Sequence, residues 1–311
     1  MSFSPGKAAG GMGQALGLFA FVQVATAQVS NMILARGLAG SVPPFSLAFF
    51  RWSIVAVGLS PLIAAALRQD SSLLRREWRG ILLAGFLGMF VCGGPVYIAG
   101  ITSSAITLAL IMAMSPLVVL LFSLVMRLES VNRWQIVGML VALAGAVLVI
   151  TRGQTSGTHG SVAVGDLLVV LAMLAWAGYS LVQNRIGAGV GFLARVGLFA
   201  AAGALLSLPL AVHEMWSDPA AVFNGKAAAA YLFAGLVPGL FAYSAYSWLA
   251  SAFGVLSTSL SVYLGPVVGA LLSIIFLGEP PNIIQLVGGA LSLGGMWLSL
   301  RNKSEGPGVG R

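Results

Sequence analysis

Ten runs of apolar residues, separated by short polar joints, follow one another along the chain. A helix needs about 20 apolar residues to cross the hydrocarbon core of a membrane. Each run is close to that length, so each is predicted to form one transmembrane helix. We call the runs spans 1 to 10; they cover residues 14–34, 45–67, 80–99, 104–126, 134–151, 166–182, 192–212, 228–250, 253–277 and 283–300.

Two pairs of neighbouring spans are joined by very short segments. Residues 100–103 alone separate spans 3 and 4, and residues 251–252 alone separate spans 8 and 9. Each pair forms an apolar stretch of roughly 45 residues, which is too long for a single crossing. We therefore predict a tight helical hairpin in each case.

Composition supports a membrane environment. The chain is 59% hydrophobic and only 8% charged, whereas an average soluble domain is roughly 25% charged. A soluble protein of this size would need more charge to cover its surface. The predicted fold class is an all-α membrane protein with ten transmembrane helices.

The basic residues give a net charge of +8, but they are spread over the joints, which argues against a nucleic-acid partner. With ten spans, 12 Lys and Arg fall on the side of both termini and 3 on the other side. Cytoplasmic joints of membrane proteins are enriched in Lys and Arg. We expect both termini in the cytoplasm and the chain in a bacterial-type cytoplasmic (inner) membrane. The side of the termini is called the inner face below, and the opposite side the outer face.

A repeat at a fixed offset of 150 residues is the most informative feature of the sequence. Residues 105–151 align without a gap on residues 255–301, with 13 identities in 47 positions. Apolar composition alone does not readily place Pro, Glu, Asn, Gln and Gly in register. The matched pairs include Pro116 with Pro266, Glu129 with Glu279, Asn132 with Asn282, Gln135 with Gln285, Gly138 with Gly288 and Gly145 with Gly295.

Each half of this duplication holds five spans, an odd number, so the second half must cross the membrane in the opposite direction. The predicted units are a first repeat at 14–151, a linker at 152–165 and a second, inverted repeat at 166–300, with flexible termini at 1–13 and 301–311. Inverted repeats recur in secondary transporters, where the substrate site lies near the midplane between the halves. The duplication therefore indicates alternating access.

Several motifs follow one another along the chain: Phe49–Arg51 in span 2, Ser115–Pro116 followed by Glu129, the repeated Gly265–Pro266 followed by Glu279, and Trp176 after Asp166 in span 6. In this order they resemble the EamA-type members of the drug/metabolite transporter superfamily. The resemblance covers residues 14–300. The chain looks most like the YddG-type exporters of aromatic and other amino acids, and this resemblance implies export of small metabolites.

Residues for catalysis are missing from the apolar spans. All eight acids and both His sit at span ends or in joints, so no acid at mid-depth is available to relay protons. No buried Asp pair, Ser/His dyad, His-Glu metal helix or phosphate-binding Gly-Lys loop is present. We predict that the protein is not an enzyme and has no catalytic residues, no metal site and no cofactor.

Arg51 is the one charge well inside a span. It follows Pro43 and Pro44, where span 2 is expected to start, by seven to eight residues, which is roughly 10–12 Å along a helix. A charge at that depth is costly unless it is paired or solvated. Two interpretations stay open: Arg51 contacts a substrate carboxylate or lines a cavity, or it binds carbonyls of a neighbouring helix or snorkels to the surface.

Polar and aromatic side chains at helical spacing indicate a cavity. Gln23, Ala27 and Ser30 share a face of span 1. A Tyr or Trp at mid-depth needs a partner for its polar atom, which a cavity supplies; packing or an interface belt is the alternative. The candidate cavity residues are Gln23, Arg51, Tyr97, Trp176, Tyr179, Gln183, Tyr243, Tyr246, Ser261 and Tyr263.

Two matched pairs of the repeat suggest mechanical roles. Pro116 and Pro266 lie within spans and should kink their helices, either as hinges or as static bends. Glu129 and Glu279 precede the next helices, where a carboxylate stabilises unpaired backbone N–H groups; a gate or an ion site is the alternative.

The sequence as a whole predicts a secondary transporter or facilitator of small organic solutes. By the resemblance, it exports aromatic and other amino acids. The expected partners are the lipid bilayer and small amphipathic solutes such as amino acids, with no nucleic acid and no obligate protein partner. The alternatives are an exporter of other metabolites or drugs on the same fold and, from another class, a channel or receptor, although neither rings of charge nor a repeated filter loop is visible.

Overall fold

The computed structural model shows a helical protein with short connections. It describes residues 11–125, 133–152, 164–187, 189–253, 255, 258, 261–262 and 265–301, and this part of the chain contains no β-strand. Nearly all of the predicted flexible termini and of the linker lies outside the described residues, as do Glu129 and Tyr263.

Ten helical rods in the described residues correspond to the ten predicted spans. Five rods are continuous: Gly11–Gly37 (span 1), Arg133–Arg152 (span 5), Val164–Val182 (span 6), Phe192–Ser217 (span 7) and Ile283–Arg301 (span 10). Four are interrupted: Pro44–Gly58 with Ser60–Gln69 (span 2), Leu73–Ala84 with Gly85–Val91 and Gly94–Thr102 (span 3), Ala105–Met112 with Ser115–Val125 (span 4), and Gly225–Ala234 with Gly235–Phe241 and Ala242–Phe253 (span 8). Span 9 contributes Gly265–Leu277, and the short helix Pro219–Val222 precedes span 8.

Several rods have the length and surface of membrane-spanning helices. Five stretches within spans 3, 4, 6, 7 and 8 are each long and apolar enough to cross a bilayer, and span 2 is a sixth when its 58° bend is counted within one crossing. Large apolar side chains such as Val57, Ile275 and Phe276 are about 70% exposed on the outside of the bundle. Such a surface fits contact with lipid tails rather than with water.

The duplication seen in the sequence recurs in the backbone. Spans 3 and 8 each contain a seven-residue π-helical segment, Gly85–Val91 and Gly235–Phe241, and the two lie 150 residues apart. π-Helical turns are rare and frequently mark functional sites. The two halves therefore share this irregular geometry as well as their helix order.

Helices of one half pack against helices of the other half. Span 2 packs against span 7, and span 5 against span 10, and each pair consists of counterparts in the repeat. The last helix of span 8 contacts span 1, and the last helix of span 3 contacts span 6 in the corresponding way. The chain is thus an all-α membrane protein with two inverted five-helix halves.

Small residues let spans 5 and 10 approach closely. A Cβ atom on Gly145 would lie 2.5 Å from the carbonyl oxygen of Gly288, and one on Gly295 would lie 2.5 Å from the carbonyl oxygen of Gly138. These two contacts are related by the 150-residue offset. Neither glycine can carry a side chain unless the helices move apart.

Span 4 is interrupted next to Pro116, where the sequence predicts a kink. Its first helix ends at Met112 and its second begins at Ser115, so Pro116 lies in the first turn of the second helix. Proline suits that turn because the N–H group that it lacks would have no partner there. Pro266 is the second residue of Gly265–Leu277. The hinge role of both prolines stays a prediction.

Glu214, near the end of span 7, binds the start of span 2. Its carboxylate accepts hydrogen bonds from the backbone N–H groups of Phe45 (3.1 Å) and Ser46 (2.6 Å) and from the Ser46 hydroxyl (2.9 Å). These amides lie in the first helical turn, where they have no intrahelical partner, and a negative charge suits that end of a helix. The contact fastens spans 2 and 7 together at the outer face.

Candidate functional site

Arg51 is buried between the two halves, with 2% of its surface exposed. Its Nη1 donates hydrogen bonds to Asn31 Oδ1 (2.9 Å) and to the Tyr97 hydroxyl (3.0 Å), and its Nη2 donates to the carbonyl of Pro238 (2.9 Å). The Tyr97 hydroxyl in turn donates to Asn31 Oδ1 (2.9 Å). We call Arg51, Asn31 and Tyr97 the outer network. Every partner of the guanidinium among the described residues is neutral.

The π-helical segment of span 8 makes the Pro238 carbonyl available to Arg51. In an α-helix that carbonyl would accept from the N–H of Ala242. The Ala242 N–H is directed to the carbonyls of Val237 and Gly239 instead. Arg51 therefore binds a carbonyl of the opposite half, as one interpretation of the sequence proposes.

Four of the predicted site residues, Trp176, Tyr179, Tyr243 and Tyr246, form one aromatic cluster. All four are buried. The Trp176 ring centroid lies 5.4 Å from that of Tyr179, 5.3 Å from that of Tyr243 and 4.9 Å from that of Tyr246. Tilted and edge-on ring pairs at these separations attract each other. The cluster joins span 6 to span 8.

The guanidinium of Arg51 continues this aromatic wall. Its Cζ atom lies 4.3 Å from the Trp52 ring centroid and 5.8 Å from that of Tyr243. A cation over an aromatic face is stabilised by the ring quadrupole. The Tyr243 hydroxyl donates to the carbonyl of Gly88 (2.6 Å), in the π-helical segment of span 3. The guanidinium and the aromatic rings thus lie side by side between the two halves.

A second polar network lies toward the inner face, and we call Gln183, Ser247 and Arg195 the inner network. The Ser247 hydroxyl donates to Gln183 Oε1 (3.0 Å), and Arg195 Nη1 donates to the Gln183 carbonyl (3.1 Å). Arg195 lies in the first turn of span 7 and is buried. Each network takes an arginine, an amide and a hydroxyl from the corresponding spans of its half.

A small cavity lies between the halves, bounded by spans 1, 2, 3, 4, 6 and 8. Its free space is about 20 Å³, enough for roughly one water molecule. The lining residues are Gln28, Asn31, Met32, Arg51, Cys92, Val96, Met112, Trp176, Pro238 and Tyr243. We call this space the central cavity; no Asp or Glu is among its lining residues.

A larger depression of about 160 Å³ lies at the outer face, and we call it the outer vestibule. Residues 38–44 form much of its wall, and Asp218 and Ala221 close the opposite side. Tyr97 lies in its lining and also belongs to the outer network. The outer network therefore stands between the vestibule and the central cavity.

Three side chains of the central cavity carry buried donors without a hydrogen-bond partner among the described residues. They are the Nε2 amide of Gln28, the Nε of Arg51 and the indole Nε1 of Trp176. A buried donor left unpaired costs free energy. The wall of the cavity therefore offers more donors than the protein itself satisfies.

The remaining predicted site residues lie apart from this cavity or outside the described chain. Gln23 is half-buried and does not line the central cavity. Ser261 is buried, and its hydroxyl donates to the Thr258 carbonyl (2.8 Å). Tyr179, Gln183 and Tyr246 lie behind the cavity wall rather than in it. Tyr263 lies outside the described residues.

Sequence analysis missed Gln28 and Asn31, which line the central cavity from span 1. The two residues are three apart and therefore share a helical face. That spacing was a usable signal, but Gln23, Ala27 and Ser30 match a helical face equally well. The hydrogen bond from Arg51 to Asn31 shows that the face of span 1 with Gln28 and Asn31 is the one directed toward Arg51.

Glu279 forms an ion pair with Arg36 at the outer face. Arg36 Nε lies 2.8 Å from Glu279 Oε1, and both side chains are about one-third exposed. Arg36 Nη1 also donates to the carbonyls of Gly100 (3.2 Å) and Ile101 (3.4 Å). The pair links the outer ends of spans 1, 3 and 9.

A buried site between inverted helical halves, separated from a vestibule on one face by a polar network, is the arrangement of a membrane transporter. The model of the EamA-like transporter family matches residues 15–151 and 163–301. The chain belongs to this family. It is a multi-pass membrane transporter and not an enzyme.

Individual relatives are distant but cover most of the chain. An uncharacterized transporter of Archaeoglobus fulgidus is 23% identical over 84% of this chain and 89% of its own length. A protein of Streptantibioticus cattleyicolor, named a probable terminal-alkyne amino-acid exporter, is 29% identical over 72% of this chain and 73% of its own. The uncharacterized inner membrane transporter YedA of Escherichia coli K12 is 28% identical over 79% and 78%.

A solved crystal structure has the same fold. It superposes with a TM-score of 0.66 at 24% sequence identity and covers 94% of this chain and 99% of that one. The agreement over nearly both full lengths supports the ten-helix architecture.

Proposed function

We propose that the protein exports amino acids, aromatic ones among them, by alternating access. The observation that carries the proposal is the central cavity, where one buried guanidinium and an aromatic wall meet between two inverted halves. An amino acid offers a carboxylate for the first and an apolar side chain for the second. The name of the Streptantibioticus cattleyicolor relative supports this solute class.

The two polar networks support the alternating part of the proposal. The outer network separates the outer vestibule from the central cavity, and the inner network binds spans 6, 7 and 8 together toward the inner face. With both closed, the cavity is too small for an amino acid, as expected of an occluded state. Loosening one network at a time would open the cavity to one face at a time.

The orientation belongs to the same proposal. We place both termini in the cytoplasm and the chain in an inner membrane, because Lys and Arg are concentrated on the side of the termini. The relative YedA is named an inner membrane transporter, which agrees with that placement. The proposed partners are the bilayer and the solute alone.

Counterflow in proteoliposomes tests the proposal. Proteoliposomes loaded with unlabelled phenylalanine should accumulate more labelled phenylalanine than liposomes that are loaded in the same way but contain no protein. A panel of other amino acids should compete with the labelled phenylalanine. The assay is run with and without a pH gradient, which shows whether proton movement drives the flux. Equal counterflow in protein-containing and empty liposomes for every amino acid tested would refute the solute class.

A matched pair of tryptophan variants ties the activity to the cavity. Trp176→Ala removes a buried ring of the cavity wall and should lower counterflow by about tenfold or more, because burying an aromatic ring contributes a few kcal/mol. Trp216, which is 89% exposed, provides the control: Trp216→Ala should retain full counterflow. Equal rates for the two variants would remove Trp176 from the solute path.

A further inference from the structure

The central cavity combines a positive charge with a surplus of hydrogen-bond donors. Arg51 is its only charged lining residue, and Gln28 Nε2, Arg51 Nε and Trp176 Nε1 lack partners among the described residues. The acceptor Asn31 Oδ1 is already used by Arg51 and Tyr97. The wall is therefore prepared to donate hydrogen bonds rather than to accept them.

A buried cation without a counter-charge is costly, and neutral acceptors offset only part of that cost. Arg51 has three neutral acceptors and an aromatic face, and among the described residues no carboxylate reaches it. A carboxylate bound in the cavity would supply the missing negative charge. Its two oxygens could also accept from the unpaired donors, and such charge-assisted hydrogen bonds are the strong ones.

An ammonium group finds the opposite conditions. Among the described residues, no Asp or Glu lines the cavity to pair with it. The aromatic faces that could hold a cation are already occupied in part, since the guanidinium lies 4.3 Å from the Trp52 centroid and 5.8 Å from that of Tyr243. A second cation beside Arg51 would be repelled across a low-dielectric space.

We propose that the site recognises the carboxylate of its solute and not the ammonium group, so that organic monocarboxylates with an apolar or aromatic tail are ligands even when they lack an amino group. This inference rests on the proposed function, since it assigns the solute class to the same cavity. It predicts a ranking among ligands that share one ring: the acid binds at least as tightly as the zwitterion, and the free amine binds weakest.

Four phenyl compounds test this ranking on the full-length protein in detergent: 3-phenylpropionate, L-phenylalanine, 2-phenylethylamine and 3-phenylpropionamide. The amide has the shape of the acid without its charge and reports ring burial alone. Binding is measured by equilibrium competition against labelled 3-phenylpropionate. The acid should bind on the order of tenfold to hundredfold more tightly than the amide, as expected of hydrogen bonds to a charged group, and the amine should bind no better than the amide.

Three cavity variants and one control variant locate the effect. Arg51→Gln should bring the affinities of acid and amide together, while Arg68→Gln, at an exposed arginine, should leave the ratio unchanged. If Arg51→Gln does not fold, Trp176→Phe keeps an aromatic ring, removes one donor and should lower the affinity for the acid more than that for the amide. Gln28→Glu places a carboxylate of the protein beside Arg51, which should compete with the solute and remove the preference for the acid over the amide.

The outcomes separate this inference from the proposed function. Wild-type protein that binds the amine as tightly as the acid, or an acid-to-amide ratio unchanged in both Trp176→Phe and Gln28→Glu, would overturn the inference. Counterflow of phenylalanine without binding of 3-phenylpropionate would leave amino-acid export standing and end the inference. Binding and counterflow of 3-phenylpropionate without any amino-acid counterflow would leave the inference standing and end the proposal of amino-acid export.

Discussion

Gly88 and Pro238 lie 150 residues apart, and the carbonyl of each accepts a hydrogen bond from a side chain of the opposite half. Tyr243 of the second half donates to Gly88 (2.6 Å), and Arg51 of the first half donates to Pro238 (2.9 Å). Both carbonyls lie in the π-helical segments of spans 3 and 8. The irregular backbone thus provides acceptors by which each half holds the other at the central cavity.

Removal of one of these cross-half bonds should weaken the protein and slow transport together. Tyr243→Phe leaves the Gly88 carbonyl without its side-chain donor, which should lower the free energy of unfolding by about 1–3 kcal/mol. The measurement is thermal unfolding in detergent, paired with counterflow. Tyr231→Phe is the control, because the Tyr231 hydroxyl also donates to a carbonyl, that of Val222 (3.0 Å), but away from the cavity. It should lose stability and keep the counterflow rate; an equal loss of counterflow in both variants would contradict the role given to Tyr243.

The contact between spans 5 and 10 gives a prediction with neighbouring residues. Gly295→Ala would bring a methyl group within 2.5 Å of the Gly138 carbonyl, whereas Gly294 has open space around it. Overpacking of this kind costs roughly 1–3 kcal/mol, so Gly295→Ala should lower the melting temperature. Gly294→Ala should leave it unchanged or raise it, since alanine favours helices. Equal melting temperatures for the two variants would show that the spans do not approach so closely.

The ion pair between Arg36 and Glu279 should favour the closed outer face. We expect Arg36→Gln and Glu279→Gln each to increase access to the outer vestibule. Access is measured by maleimide labelling of Leu47→Cys, a vestibule residue, in a Cys92→Ala background. Because both side chains are partly exposed, the coupling in a double-mutant cycle should be about 0.2–1 kcal/mol.

The orientation of this ion pair is tested by exchanging the two residues. The double variant Arg36→Glu with Glu279→Arg should restore slow labelling at position 47. Single variants that label no faster than the parent protein would show that the pair does not hold the outer face closed.

The two repeats should place their matched glutamates on opposite sides of the membrane. In a Cys92→Ala background, Glu279→Cys should react with an impermeant maleimide added outside intact cells. Glu129→Cys should react only after the cells are opened. The chain crosses the membrane five times between positions 129 and 279, so the two positions lie on opposite sides. Labelling of both positions from the same side would contradict the inverted arrangement.

Much of the fold was predictable because lipid imposes a simple rule on sequence. Backbone groups in the bilayer must be satisfied within helices, so each apolar run of adequate length becomes a span. The offset that matches Pro116 with Pro266 and Gly145 with Gly295 then indicates the inverted halves. The same offset is visible in the structure as the paired π-helical segments.

The site was less predictable, and two residues show why. Arg51 stands out in the sequence because a charge inside a span is costly, but its partner Asn31 does not. Gln23 and Asn31 both belong to span 1, and only the rotation of that helix relative to its neighbours decides which of them faces the space between the two halves. The π-helical segments are also invisible to periodicity, so no pattern shows that the Pro238 carbonyl is free to accept from Arg51.

The carboxylate of Glu214 has a consequence for how the protein can move. It joins the outer ends of spans 2 and 7, which also pack against each other as counterparts of the repeat. Separating them would break three hydrogen bonds to one charged group, so we expect this pair to turn as a single body. Spans 2 and 7 then form one rigid unit across the membrane, and the remaining helices tilt against it.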